Sequence, residues 1–186
     1  MLAIIVIAVA ALVLLLVILG FNSLVRSRNK TDNAWAQVDV QLTKRHDLIP
    51  NLVETVKGYA AHERQTFEAV TAARTAALNT RGPAAQAGAE NALTAAVGRL
   101  MAVAENYPQL RSSANFLALQ DQLSSVESGI AYARQYYNDS VLTYENRRNQ
   151  FPLLLIAGPL GFHQREYFKA DAAATEPVAT SFTASP

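Results

Sequence analysis

The chain of 186 residues contains no cysteine, one tryptophan and few breakers, with eight glycines and seven prolines. Without cysteine there is no disulfide framework, no thiolate nucleophile and no thiol for the lipid anchor of a lipoprotein. An excess of one charge is also missing, because 16 basic residues nearly balance 15 acidic ones. Nucleic-acid-binding proteins concentrate a basic excess on one face, so the composition argues against nucleic acid as a partner.

The sequence also lacks the common catalytic motifs. The chain has no glycine-rich phosphate loop and no Gly-x-Ser-x-Gly turn. His46, His62 and His163 lie on different segments, and no two have the one-turn spacing of a helical metal pair. The pair His62-Glu63 resembles the start of a zinc-protease helix but lacks the second histidine. We therefore predict no catalytic residue, no cofactor-binding residue, no metal site and no enzymatic activity.

The carboxylates are interpreted mainly as solvated groups on the polar sides of helices, although an acid–base pair on facing helices stays open. They include Asp32, Asp39, Asp47, Glu54, Glu63 and Glu68.

Residues 2–21 carry no charge. A helix of this length spans about 30 Å, the thickness of the hydrocarbon core of a bilayer. A cleaved signal peptide has a shorter apolar stretch and small residues at its cleavage site, so we interpret residues 2–21 as an uncleaved span in contact with membrane lipid. Arg26, Arg28 and Lys30 follow it, which predicts a cytoplasmic body by the positive-inside rule. Because three charges are a small bias, the alternative that the body lies in the periplasm stays open.

Four apolar stripes repeat at steps of three and four residues, the mark of amphipathic helices. They predict an all-α protein, in which the N-terminal transmembrane helix continues into an antiparallel up-down-up-down helical bundle. In chain order the stripes are Trp35, Val38 and Leu42; Ile49, Leu52, Val53, Val56, Ala60, Phe67, Val70 and Ala77; Leu93, Val97, Leu100, Ala104 and Tyr107; and Phe116, Leu119, Leu123, Val126, Ile130, Ala133, Tyr137, Val141, Tyr144 and Phe151.

Glycine and proline separate these stripes. Gly82-Pro83 predicts a break before the third helix, and Tyr107-Pro108 predicts its end. Pro50 allows two interpretations: Asp47 caps a new helix, or one long helix bends at the proline. We favour a turn. The resulting organisation is an anchor over 1–25, a helical bundle over 26–168 and a tail over 169–186 that has little to bury and is expected to be disordered.

Two further segments leave alternatives open. Residues 153–162 are more apolar than a solvent-exposed loop, so they either plug one end of the bundle or form a surface for a partner chain or the bilayer interface. On the fourth helix, Glu127 and Arg134 are too far apart to pair with each other, which leaves contacts to other helices or chains. Tyrosines on this helix are interpreted as core and rim rather than as a base-stacking platform; they are Tyr132, Tyr136, Tyr137 and Tyr144. We predict a cyclic homo-oligomer with residues 153–162 or the fourth helix at the contact.

Several short motifs, in their order along the chain, resemble the LemA family of bacterial membrane proteins. They are residues 28–42 (RNKTDNAWAQVDVQL), 45–53 (RHDLIPNLV), 56–59 (VKGY) and 107–110 (YPQL), followed by Asn115-Phe116, Leu119-Gln120, Ala133-Arg134, Tyr137-Asn138, Phe151-Pro152 and Gly161-Phe162. The resemblance runs from about Phe21 to Phe168. It implies a helical bundle behind an N-terminal membrane segment, with no established enzymatic activity, cofactor or catalytic residues.

Relatives in magnetosome gene sets imply a role near membrane organisation for some members. Other relatives resemble lipoproteins with a cysteine at the end of the apolar run, where this chain has Phe21. We therefore expect a single-pass protein of the bacterial inner membrane. Its expected function is that of a non-catalytic scaffold or adaptor, which acts by self-association and through an unidentified protein partner. The alternatives are an accessory subunit of a membrane protease or transporter and an enzyme with an unrecognised site between helices.

Overall fold

The computed structural model describes residues 1–169. Within this range the chain is helical and contains no strand, which confirms the predicted all-α class with a long apolar N-terminal helix. Nearly all of the predicted tail over 169–186 lies outside the described residues. The helices are α1 (Leu2–Lys57), α2 (Arg64–Asn79), α3 (Pro83–Glu105), α4 (Pro108–Arg111), α5 (Ala114–Arg148) and α6 (Leu154–Ala157).

The predicted turn at Pro50 is wrong, because α1 continues through this residue to Lys57. Proline has no N–H to donate to the carbonyl of residue i−4, which here belongs to His46. Arg74 of α2 takes over that role, since its Nε donates to the His46 carbonyl oxygen at 2.7 Å. Pro50 itself is exposed. A contact from another helix, invisible to local rules, therefore satisfies the backbone and lets α1 pass the proline.

The first interruption comes later, over residues 58–63, where Gly58 follows the last turn of α1. The other two predicted breaks are confirmed. Gly82 has a φ of 88°, a conformation that favours glycine, and Pro83 occupies the first turn of α3. Likewise α3 ends at Glu105 and the short α4 begins at Pro108.

The two longest helices, α1 and α5, run antiparallel. Arg147 bonds the carbonyl of Ser23, and Thr31 bonds the carbonyl of Ser140, so positions rise along α1 as they fall along α5. Helices α2 and α3 form a second closely packed pair, and α2 also packs on α1. The complete up-down-up-down order stays a prediction.

The apolar core divides into three clusters along α1 and α5. In the distal core, α2 and α3 fill the space beside α1 and α5. In the middle core this space is filled by Ala87 of α3 and by the chain after α5, and in the proximal core by the chain after α5. The distal core includes Ile49, Leu52, Phe67, Leu100 and Phe116; the middle core includes Val38, Leu42, Ile130, Tyr137, Val141 and Phe168; and the proximal core contains Leu24, Tyr144, Ala157 and Phe162.

The chain after α5 corrects one further expectation. Phe151, placed at the end of the fourth stripe, lies beyond the helix and is 82% exposed, because α5 ends at Arg148. The apolar segment 153–162 is two-sided: Ala157 and Phe162 are buried in the proximal core, while other side chains of the segment face outward.

Candidate functional site

A buried cluster of polar side chains lies where α1, α3 and α5 meet. Arg45 and His46 project from α1, while Gln86 and Glu90 project from α3. Each is less than a tenth exposed. Charged groups are almost never fully buried unless they are paired, so this polar cluster is the clearest candidate for a functional site.

Glu90 is the centre of the polar cluster. Its Oε2 accepts from Arg45 Nη1 at 3.0 Å, while its Oε1 lies 2.8 Å from His46 Nε2. Gln86 Nε2 donates to the same Oε1 at 3.0 Å. One carboxylate thus joins an arginine, a histidine and an amide.

Arg45 extends the polar cluster to α5. Its Nη2 lies 2.8 Å from Glu127 Oε1 and donates to Thr94 Oγ1 at 2.7 Å. Only its Nε is buried without a hydrogen-bond partner among the described residues. Glu127 therefore reaches another helix instead of Arg134.

The environment of Glu90 favours its ionised form. Burial alone raises the pKa of this carboxyl, but hydrogen bonds from His46 and Gln86 and the positive charges of His46 and Arg45 outweigh it. The pKa of Glu90 is therefore lowered from its ordinary value of 4.5. A carboxylate held ionised beside a buried arginine acts as a structural counter-ion, which is the opposite of a proton donor poised near neutral pH.

Two helix stripes explain why these polar groups are buried. Arg45 and His46 lie between the buried Leu42 and Ile49 on the inner face of α1. On α3, Glu90 precedes the buried Leu93 by one turn, on the same face. Sequence reasoning began the third stripe at Leu93 and so missed Glu90. If the stripe is extended by one turn towards the N-terminus of α3, a polar residue falls at a position that faces the core. A polar residue at such a position indicates a buried polar pair.

The polar cluster is closed rather than open to a substrate. Two larger grooves lie elsewhere, one between α1 and α2 of about 730 Å³ that is lined by Val53 and Phe67, and one between α1 and α5 of about 450 Å³. His62 and His163 are both exposed and stand apart from His46. Among residues 1–169, no group of three or more His, Asp or Glu side chains is arranged to hold a metal ion.

Most of the other carboxylates lie at the surface. Asp32 pairs with Arg165 at 2.9 Å, and Glu54 lies 3.3 Å from Lys57 one helical turn later. Exposed pairs of this kind contribute at most about 1 kcal/mol each. The group of six named from the sequence thus does not converge on a common site.

A second polar arrangement holds residues 162–168, which we call the C-terminal segment, against α5. Tyr144 Oη donates to the carbonyl of His163 at 2.8 Å, and Tyr137 Oη donates to that of Glu166 at 2.7 Å. These bonds replace the backbone pairing that a helix or sheet would supply.

Three more side chains of α5 complete this arrangement. Asn138 forms two hydrogen bonds with the backbone of Phe168, at 3.0 and 3.1 Å. Glu145 accepts from the Arg165 N–H at 2.8 Å, and Arg148 donates to the Phe162 carbonyl at 3.1 Å. Side chains on a single face of α5 therefore form hydrogen bonds with the main chain of the C-terminal segment.

This arrangement explains the tyrosines of α5. Burial raises the pKa of Tyr137 to about 12, with Arg165 opposing the shift and Glu166 and Asp32 adding to it. Burial also raises the pKa of Tyr144. Both phenols therefore remain donors at neutral pH. Tyr132, by contrast, is 74% exposed.

The described residues define a class: a helical protein whose N-terminal helix is long and apolar enough to cross a bilayer. The sequence model of the LemA family matches residues 34–182, and the chain belongs to this family. Magnetosome proteins MamQ 1 and MamQ 2 of Paramagnetospirillum magneticum are each 27% identical to it, over 88% of this chain and 70% of their own. Magnetosome protein MamQ of Magnetospirillum gryphiswaldense is 27% identical over 97% of this chain and 75% of its own.

Proposed function

We propose that the protein is a non-catalytic scaffold of the bacterial inner membrane that works by self-association of its helical bundle. The magnetosome proteins to which it is similar suggest a role in organising membrane-associated assemblies. This proposal has three parts: a role in organising the membrane, self-association, and the side of the membrane on which the bundle lies.

The observation that carries the proposal is the continuity of α1. Its 56 residues correspond to a rod of about 84 Å, of which the first 30 Å match a bilayer. The same helix then contributes side chains to all three cores and to the buried polar cluster. Such a rod transmits position and orientation from the membrane to the bundle, which suits a scaffold.

A groove between α1 and α5 supports a second copy of the chain as the partner. Ala36 and Gly129 line this groove, together with Val40 and Tyr132, which are 53% and 74% exposed. Anchoring holds all copies in one plane and one orientation, which raises their effective concentration and favours cyclic contacts. We therefore place the contact on the α1–α5 face, one of the two alternatives that the sequence left open.

Self-association is tested by native mass spectrometry and mass photometry of the full-length protein in mild detergent. We expect a defined oligomer for the parent and its dissociation by Tyr132→Asp, because an ionised carboxylate would replace an aromatic side chain at the contact. Leu78→Asp is the matched control, since Leu78 is an exposed apolar residue of α2. It should leave the oligomer intact.

Circular dichroism must show that both variants keep the helix content and melting behaviour of the parent. A monodisperse parent monomer at micromolar concentration would contradict self-association. If the oligomer persists in a folded Tyr132→Asp variant, the contact between copies lies on another face.

We also propose that the bundle is cytoplasmic, because Arg26, Arg28 and Lys30 follow the span. Protease added to intact spheroplasts should then spare the bundle and digest it only after lysis. Digestion in intact spheroplasts would place the bundle in the periplasm and leave the scaffold proposal standing.

A further inference from the structure

The chain after α5 lies beside the end of the apolar run of α1. Leu153 packs so closely on Gly20 that a Cβ at Gly20 would overlap its Cδ2 atom. Next to it, the rings of Phe21 and Phe162 meet edge to face, with centroids 5.6 Å apart. The segment is therefore fixed at the level of Gly20–Phe21 along α1.

That level coincides with one surface of the bilayer. If residues 2–21 cross the hydrocarbon core, their 20 residues span about 30 Å and end at the boundary with the headgroups. Arg26 and Arg28 follow within two helical turns, as expected for side chains among the phosphates. Any group packed against Gly20 and Phe21 consequently meets lipid.

The chemistry of residues 151–162 matches this location. None of these twelve residues has a charged or hydrogen-bonding side chain, and an apolar segment of this length is typical of an interfacial element rather than a span. Phe151 is 82% exposed, Leu155 67%, Leu154 55% and Leu160 45%. An apolar patch of this kind in water would be costly, which indicates a covered surface.

We propose that Phe151, Leu154, Leu155 and Leu160 enter the bilayer at the hydrocarbon–headgroup boundary and form a second membrane contact beside α1. We call these four side chains the membrane patch. The occupant is lipid because the patch continues the surface of the span at the same depth. With two contacts, the bundle is held at a fixed angle to the membrane rather than free to rotate about α1.

The absence of cysteine makes the proposal directly testable, because Leu155→Cys creates a single thiol. The full-length variant is labelled with an environment-sensitive fluorophore and placed in phosphatidylcholine nanodiscs. We expect a blue-shifted emission and strong quenching by lipids that carry a spin label high on the acyl chain. Quenching should be weaker with the spin label near the chain end.

Two labelled variants calibrate the measurement. Leu12→Cys, in the middle of the apolar run, should be quenched best by the deep spin label. Leu117→Cys provides a matched exposed leucine on α5, since it is 47% exposed but lies near the N-terminal end of that helix. Its emission should stay that of a probe in water, with no quenching by either lipid.

The proposal is overturned if the probe at Leu155 behaves like the probe at Leu117. It is also overturned if the blue shift disappears in nanodiscs that hold one copy each, because a second copy would then be what covers the patch. Quenching that persists in single-copy nanodiscs supports the bilayer as the occupant. This result is independent of the proposed self-association, so failure of one leaves the other intact.

Discussion

The distal and proximal ends of the bundle solve the same packing problem by different means. At the distal end, helices α2 and α3 cover α1 and α5, and the charges that become buried neutralise one another around Glu90. At the proximal end, the non-helical C-terminal segment covers α1 and α5, and side chains of α5 bond its backbone. A pair of long helices can thus be covered either by other helices or by a non-helical chain segment whose backbone is bonded by side chains.

The two solutions differ in how they should fail. At the distal end, the buried charges depend on one another, so removing one partner leaves the others less well compensated. The contacts to the C-terminal segment are spread over several separate hydrogen bonds, some from neutral tyrosine and asparagine side chains and some from the charged Glu145 and Arg148. Each neutral bond contributes about 1 kcal/mol. The following changes are expected to separate the two ends.

The largest effect is expected for Glu90→Ala at the distal end. It leaves His46 without its carboxylate partner and Arg45 with only the half-exposed Glu127, so the free energy of unfolding should fall by about 3–5 kcal/mol. Chemical denaturation of the detergent-solubilised protein measures this loss. Glu105→Ala, an exposed acid on the same helix, should cost less than about 0.5 kcal/mol. Equal losses for the two variants would show that the buried contacts of Glu90 contribute no more to stability than an exposed acid does.

Ile130→Ala probes the apolar packing that both ends share. Ile130 is buried in the middle core, so the truncation should cost about 2–5 kcal/mol. Asp121 lies off the stripe and is exposed, and Asp121→Ala should cost no more than about 0.5 kcal/mol. Equal shifts in melting temperature for these two variants would mean that the assigned inner face of α5 is wrong.

Arg74→Met tests how α1 passes Pro50. It removes the guanidinium that satisfies the His46 carbonyl and should cost about 1.5–3 kcal/mol, the range for hydrogen bonds to charged groups. In the background of Pro50→Ala the backbone N–H is restored, so the same Arg74 substitution should cost less. A double-mutant cycle by denaturation measures the coupling. If the losses in the free energy of unfolding are strictly additive, the contribution of Arg74 does not depend on Pro50.

Tyr137→Phe probes how the C-terminal segment is held against α5 over the middle core. Loss of the hydroxyl that donates to the Glu166 carbonyl should cost about 1 kcal/mol. Hydrogen exchange should speed up in residues 162–168 more than in α3. The control is Tyr132→Phe, at an exposed tyrosine of the same helix. Uniform acceleration across the bundle would contradict a locally held segment.

The smallest effect is the pH dependence that Glu90 adds at the distal end. Its pKa is lowered in the folded protein, so the unfolded chain binds more protons as the pH falls below about 4.5. Glu90 therefore contributes its full electrostatic stabilisation above that pH and loses it as the pH falls through the folded-state pKa. Glu90→Gln should flatten the stability curve in this window. An unchanged slope would assign the acid sensitivity to other carboxylates.

The sequence by itself determined the helical class, the apolar span and the breaks at Gly82-Pro83 and Tyr107-Pro108. These features depend on local rules: apolar periodicity, length against bilayer thickness, and the limits that proline and glycine place on the backbone. Motif resemblance likewise predicted the LemA family, which the family match confirmed.

The carbonyl that Pro50 leaves without a helical donor is bonded by Arg74, 24 residues further along the chain. Glu90 met Arg45 and His46 only because α3 folds back beside α1. The C-terminal segment contacts α5 through main-chain atoms, which leave no periodic pattern in the sequence. Only the tertiary structure decided these points, because each depends on a partner that is distant along the chain, whereas sequence patterns report what a residue's neighbours require.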